Sequence, residues 1–383
     1  MKILMCVESL NVGGIETWLK NLMKVKSDGF SFDFFVMQKG GYYEDELKGY
    51  GCNVYYANEQ SNIDKLCQLF GSTTTNYHLS LSKLLKASHY DVIHAHGTEF
   101  MGDIMKIAMA SGVPTRIAHC HTTGVNKFCV NMKMKVRGVR FRVLDRYRLN
   151  KYSTKLLSCS KESAFFFLGK YWENNALSDI LYCGVPNKVD VNIISKEDFG
   201  IPETSKVIGH VGTFSPVKNH SLILEIMAKL VKYDSSYYLF LAGDGPLYGE
   251  IKRRCIQLGI EDNVIMPGYC SDIPSLMSGV FDMLVLPSLY EGMPLVGVEA
   301  INSGLAVVCS DVITNDLINA FPTMIEAVPL NADIDSWVKS INYAISKKTC
   351  SKKGQNIVYE SDFSIEKSYA NLCRIYREGT SSI

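Results

Sequence analysis

With 383 residues, 47% of them hydrophobic and 21% charged, the chain is long enough for two ordinary cores, since domains run to roughly 100–200 residues. A formal net charge of +1 carries no information as a sum, so charge has to be followed along the chain. No run approaches the roughly 18 apolar residues that cross a bilayer, and Met1-Lys-Ile-Leu-Met-Cys-Val leads straight into a strand without a signal-peptide layout, so a cytoplasmic chain starting at Met1 is expected. The twelve cysteines form no Cys-x-x-Cys pair, and Cys6, Cys159 and Cys309 sit in apolar runs, which argues against a disulfide framework or a structural zinc site.

Short apolar runs bounded by Gly, Pro, Asn or Asp alternate with helix-length polar segments, the pattern of strands and helices in a parallel sheet. One series of strands is predicted at 2–7, 32–37, 53–57, 91–95, 116–121, 155–159 and 180–183. A second is predicted at 207–211, 238–242, 263–266, 283–287 and 306–310. Between them, a stretch with two prolines and little helical period predicts a linker over 185–205, separating a domain at 1–184 from one at 206–363. Helices are predicted at 334–346 and in the closing segment 364–383, where Ile365, Tyr369, Leu372 and Tyr376 are spaced for one face. The expected fold is α/β, two Rossmann-like domains with parallel sheets facing a central cleft, the last helix crossing back to the first domain.

Ligands of open parallel sheets collect beyond the carboxyl ends of the strands, so chemistry is sought there. After the first strand, Gly13 and Gly14 would let backbone amides approach an anion at a helix N-terminus, although the loop lacks Gly-x-Gly-x-x-Gly. Gly243 and Gly245, followed by Pro246, make a comparable turn. Gly212 and Thr213 open the loop after the strand at 207–211, and that loop carries Lys218, an ammonium suited to a diphosphate. The strongest segment is Glu291-Gly-Met-Pro-Leu-Val-Gly-Val-Glu299. Pro294 pre-sets a helix beginning there, Gly292 and Met293 offer free amides, and the two glutamates stand in the loop and about one turn into the helix. Phosphate suits the helix end, while a carboxylate accepts two hydrogen bonds from a vicinal diol.

His94 and His96 end one predicted strand and His119 and His121 the next, each pair on one face. Four imidazoles near two strand ends are in principle able to bind zinc, but no carboxylate or cysteine completes an obvious set, His119 also reads as a satisfied core residue, and Asp333-Ile-Asp335 reads as a helix cap, so no metal is expected. Residues 127–155 hold five lysines and five arginines against Asp145 alone, a net +9 that leaves −8 elsewhere. This segment, with Lys133, Lys135, Arg137, Arg140 and Arg142, reads as a basic amphipathic helix for an anionic membrane surface or acceptor, or else as a merely solvated face. No nucleic-acid module accompanies it.

In these motifs the sequence resembles the retaining glycosyltransferases of the GT-B fold, specifically the GT4 family. Glu291 and Glu299 match its Glu-x7-Glu motif, Gly13-Gly14-Ile15-Glu16 its N-terminal glycine loop, Lys218 its phosphate-binding lysine, and His121-Thr122 its His-Thr after an N-domain strand. The likeness runs in order over nearly the whole chain. It implies that Glu299 binds the nucleotide ribose and Glu291 the donor sugar, that His121 lies close to the transferred sugar, and that backbone groups at Asp272 and Ile273 meet the base. The loop stretches Gly212–Thr213 and Gly292-Met293-Pro294-Leu295 would complete the donor site. One departure is Thr213, which stands where the family commonly has an arginine. The resemblance implies a metal-independent, retaining transfer from a nucleotide-sugar, a UDP-sugar favoured, to a saccharide or lipid-linked saccharide held by the first domain. Catalysis would involve His121, Glu291 and Lys218, at the inner face of the cell membrane in surface-polysaccharide synthesis. A nucleotide-sugar epimerase of similar architecture and a catalytically silent partner subunit are the alternatives.

Overall fold

The computed structural model of the chain describes residues 1–383 apart from 28, 59–74, 98–100, 124–140, 189 and 382–383, and apart from the side chains of 141, 142 and 381. It divides into two compact units, Met1–Gly184 with Ile365–Ile383, and Val185–Ser364. The first unit runs β1 (Lys2–Val7), α1 (Gly14–Val25), β2 (Ser31–Val36), α2 (Glu44–Gly49), β3 (Asn53–Tyr56), α3 (Asn76–Ala87), β4 (Val92–Gly97), α4 (Met101–Ala110) and β5 (Thr115–Cys120). A π-helical turn (Phe141–Asp145) then leads into α5 (Arg146–Tyr152), β6 (Lys155–Ser158), α6 (Lys161–Leu168) and β7 (Ser178–Ile180). The second unit runs β8 (Lys206–Val211), α7 (His220–Tyr233), β9 (Tyr237–Ala242), α8 (Tyr248–Leu258), β10 (Val264–Gly268), α9 (Ile273–Gly279) and β11 (Met283–Leu286). It continues with α10 (Leu295–Asn302), β12 (Val307–Ser310), α11 (Asn315–Ala320), β13 (Ile325–Val328), α12 (Ile334–Ser346) and α13 (Ser351–Glu360). The closing helix α14 (Ile365–Ser381) belongs to the first unit.

Among the described residues, the first sheet has the order β3-β2-β1-β4-β5-β6-β7 and the second β10-β9-β8-β11-β12-β13, with parallel pairing throughout. Parallel sheets survive only when both faces are covered, which is why their strands are apolar runs rather than alternating ones. One face of the first sheet, with Leu4, Cys6, Phe35, Ile93 and Ala95, packs on Tyr77 and Leu81 of α3 and Met101 and Met105 of α4. Trp18 of α1 and Tyr376 of α14 lie against the other face. The α14 residues Ile365, Tyr369, Leu372 and Tyr376 are all buried, and Trp18 Nε1 donates to Ser368 Oγ at 3.1 Å. The apolar spacing read in the sequence is therefore the face that binds α14 into the first unit.

Two features differ from the sequence reading. The stretch 185–205 is not a free linker: it packs within the second unit, where Lys196 is buried and donates to Ser205 O at 2.7 Å and to Asp282 Oδ2 at 2.9 Å. Asn192, Ser195, Lys196 and Asp198 spend their side chains on hydrogen bonds, which hydrophobic periodicity does not register. The strand β13 went unpredicted because its short run Ile-Glu-Ala-Val is interrupted by Glu326 at the sheet edge. Among the described residues no helix is long and apolar enough to cross a membrane.

Candidate functional site

In the second sheet the strand order reverses beside β8, with β9 on one side and β11 on the other. Loops leaving the carboxyl ends of β8 and β11 therefore part from one point, the place where open α/β sheets take ligands. The loop after β8 closes with a 3-10 turn, Pro216–Lys218, and Asn219 at φ 56°, a left-handed conformation that asparagine tolerates better than most residues. Asn219 Nδ2 donates to Pro287 O at 3.2 Å and Leu289 N to Val217 O at 2.8 Å, pinning this loop to the end of β11. Lys218 Nζ thereby meets Glu291 Oε1 at 2.5 Å, and Ser288 Oγ donates to the same oxygen at 2.9 Å. Ser310 Oγ in turn donates to Ser288 O at 2.5 Å, fixing the start of the loop. The two charged side chains are 19% and 16% exposed, shielded enough to hold each other more firmly than a surface pair and still open to a ligand.

The glycines behind this pair have a mechanical role. Gly245, at φ +157°, lies against the 212–214 loop, and a Cβ there would stand 2.7 Å from Phe214 O. Phe214 N donates to Asp244 O at 2.9 Å, so the Gly243–Gly245 turn serves as the backing of that loop. At Gly212 a Cβ would come within 3.0 Å of Lys218 Cε, so the glycine leaves the lysine stem its path. Thr213 is exposed.

Gly292 and Leu295 are buried and Met293 is half-buried. Pro294 caps α10 at ψ 91° instead of forming its first residue, and the helix has no side-chain cap. Glu299 lies half-buried on α10. Asp272 caps α9, accepting from Ser275 N at 3.1 Å and from Asn192 Nδ2 at 2.5 Å, with Ile273 the first helical residue. Its carboxylate is thus committed within the second unit. Beneath the 212–219 loop, His210 and His220 are buried with their rings 4.9 Å apart. Burial, with the nearby Lys218 charge assisting, lowers their pKa values to about 3 and about 4.

In the first unit Gly13 caps α1 with extended backbone, and a Cβ there would meet Glu16 Oε2 at 2.5 Å. Gly14 begins the helix and is exposed. His121 follows β5, with its Nε2 3.0 Å from His96 Nδ1 and its Nδ1 3.6 Å from Cys183 Sγ. Burial lowers its pKa to about 3. A cysteine does therefore join the histidines, contrary to the sequence reading: Cys183 lies far along the chain, and only the sheet brings it near. Of the basic segment, Lys133, Lys135, Arg137 and Arg140 lie outside the described residues, as does the side chain of Arg142. Arg146 and Arg148 are not free surface charges: Arg146 donates to Phe166 O and Phe167 O, and Arg148 pairs with the buried Asp103. Ser288, Asn219 and Cys183 escaped the sequence reading, and only Asn219, an asparagine directly before a helix, carried a local signal.

The profile of the family described as Glycosyl transferases group 1 matches residues 192–359. EpsF of Bacillus subtilis, named as a glycosyltransferase, is 30% identical over 351 residues, covering 89% of this chain and 86% of that one. The UDP-Gal:alpha-D-GlcNAc-diphosphoundecaprenol alpha-1,3-galactosyltransferase of Escherichia coli is 28% identical over 306 residues, 74% of this chain and 76% of the other. The structure of HepE from Anabaena in complex with UDP-glucose covers 100% of both chains with a TM-score of 0.76 at 20% identity, which shows a shared fold. With two parallel-sheet α/β domains of the GT-B kind and a relative 30% identical over 89% of its length, the chain belongs to the group 1 glycosyl transferases and is a glycosyltransferase.

Proposed function

We propose that the protein moves a sugar from a UDP-sugar to a saccharide or lipid-linked saccharide, with retention of anomeric configuration and no metal at the diphosphate. The observation that carries this reading is the Lys218–Glu291 contact at 2.5 Å, between the loops that follow β8 and β11. An arriving diphosphate draws Lys218 to itself and releases Glu291, which then accepts hydrogen bonds from the donor sugar while Ser288 keeps it oriented. Glu299, further along α10, accepts from the ribose hydroxyls. As the bond from the anomeric carbon to phosphate breaks, Lys218 and the amides at the start of α10 stabilise the departing charge. The acceptor oxygen attacks from the same face and its proton passes to the leaving phosphate. The UDP preference and the lipid-linked acceptor are supported by the galactosyltransferase activity that names the Escherichia coli relative and by the UDP-glucose bound to HepE. Segment 127–142 supplies the positive charge for anionic lipid, since Arg146 and Arg148 are engaged internally.

Incubation with UDP-glucose, UDP-galactose or UDP-N-acetylglucosamine and a polyprenyl-diphosphate-linked sugar is expected to yield an α-linked product by NMR. Glu291→Ala is expected to slow turnover by about 10²–10³-fold, the scale set by loss of one preorganised polar group. Full activity in Glu291→Ala would remove the assignment.

A further inference from the structure

Three imidazoles of the first unit stand outside the transfer chemistry. His94 and His96 on β4 and His119 on β5 lie on the sheet face that Trp18 and Tyr376 cover, and they are 0%, 7% and 0% exposed. Apolar side chains would fill that layer at no polar cost, whereas a buried polar nitrogen without a partner costs about 1–3 kcal/mol. Among the described residues, His94 Nε2, His96 Nε2 and both ring nitrogens of His119 lack a hydrogen-bond partner.

The remaining nitrogens are held. His94 Nδ1 is 2.8 Å from Tyr376 Oη, whose own proton can point to Met5 Sδ at 3.9 Å, so the imidazole can donate to the hydroxyl. His96 Nδ1 is 3.0 Å from His121 Nε2, and the other nitrogen of His121 faces Cys183 Sγ at 3.6 Å. Protons on both Nδ1 atoms satisfy every one of these contacts and leave a bare lone pair on each Nε2. One nitrogen fixed by an outer partner and the other left without one is the arrangement of metal-binding histidines. One ligand atom from each of His94, His96 and His119 falls within 4.8 Å of the others, and tetrahedral zinc with Zn–N near 2.0–2.1 Å would draw them to roughly 3.4 Å.

We infer that His94, His96 and His119 bind one transition-metal ion, of the zinc class, inside the first unit. Neutral imidazoles suit zinc, copper, nickel or iron and not magnesium or calcium. Cys183 forms an adjoining set with His121 and His119. The ion is structural: it joins β4 and β5 on a buried face and belongs to a different unit from Lys218 and Glu291.

Metal content of protein made without a polyhistidine tag, incubated with excess zinc and then dialysed, tests this. About one zinc per chain is expected, with a rise in Tm over the chelator-treated protein, because an ion that binds only the folded state stabilises it by mass action. His94→Asn and His96→Asn are expected to lose the zinc, while His89→Asn, altering an imidazole whose side chain is 83% exposed, keeps it. Less than about a tenth of an equivalent in the unaltered protein, or the same content in all variants, overturns the site. Should the two core variants fail to fold, cobalt(II) loaded into the unaltered protein decides: tetrahedral d–d absorption supports the site and its absence refutes it.

Discussion

The carboxyl ends of β8 and β11 carry an ion pair, Lys218 with Glu291, whereas β4 and β5 carry imidazoles that meet one another, a tyrosine and a thiol. Both places are built by the same βαβ logic, and both bury histidines. They differ in what stands above the imidazoles. In the second unit His210 and His220 lie under a partly open pair whose lysine a polyanion can claim; in the first unit Trp18 and α14 close over the cluster. A charged, accessible strand end suits a ligand that comes and goes. A neutral, covered one suits something held permanently.

The largest effect that would sharpen this contrast lies at Lys218. Lys218→Ala removes the cation and leaves the Glu291 carboxylate facing the incoming phosphates, so donor turnover is expected to fall by about 10²–10³-fold, roughly 3–4 kcal/mol. UDP affinity measured by calorimetry should fall with it, and thermal stability should hardly move. An unchanged rate would mean that the open pair of the second unit is only structural.

The next effect concerns the histidines under that pair. His220 has a folded pKa of about 4 against an unfolded value near 6.5, so the native state binds fewer protons. The resulting stability is present above pH 6.5 and is lost as pH falls from there towards 4, by about 3 kcal/mol at most. Urea unfolding of the second unit from pH 7 to pH 4 should show this decline, and His220→Phe should flatten it. Equal slopes in both proteins would show that the folded pKa of His220 is not depressed.

Much of this contrast was legible before the structure, and what escaped has definite causes. Lys218 and Glu291 could be named because each follows an apolar strand-like run, and position at a strand end is a matter of sequence order. The buried face of α14 followed from the spacing of Ile365, Tyr369, Leu372 and Tyr376. Their contact with one another was not legible, because it depends on β8 and β11 being neighbours, a fact of sheet order and not of spacing. Cys183 was missed for the same reason. Arg148 looked like a surface charge because nothing in its own helix shows that Asp103 of α4 waits beside it. The stretch 185–205 looked like a linker because its order comes from side-chain hydrogen bonds.

A smaller effect tests how tightly the neutral side is covered. Ser368→Ala leaves the buried Trp18 Nε1 proton without its acceptor, which should cost about 1–2 kcal/mol of stability in the first unit. UDP affinity should not change, since both residues belong to the first unit. A variant as stable as the parent in chemical denaturation would show that the α1–α14 contact is held by apolar packing alone.

The smallest effect asks whether the charged end can be made more charged. Thr213 is exposed in the loop that Gly243 and Gly245 support, so an arginine there meets no packed neighbour and adds a guanidinium on the loop that carries Lys218. The side chain must give up rotamer freedom and works partly in solvent, so Thr213→Arg is expected to tighten UDP binding by only about 3–10-fold, roughly 0.7–1.4 kcal/mol. The gain should shrink at high salt, as an exposed contact does. In the Lys218→Ala background the same change should restore part of the lost affinity, because a second cation then carries the phosphate contact. Two negative results, no tightening in the parent and no rescue in the variant, would mean that the diphosphate does not lie against the 212–219 loop. The second unit's ion pair would then be as closed to ligand as the imidazoles of the first.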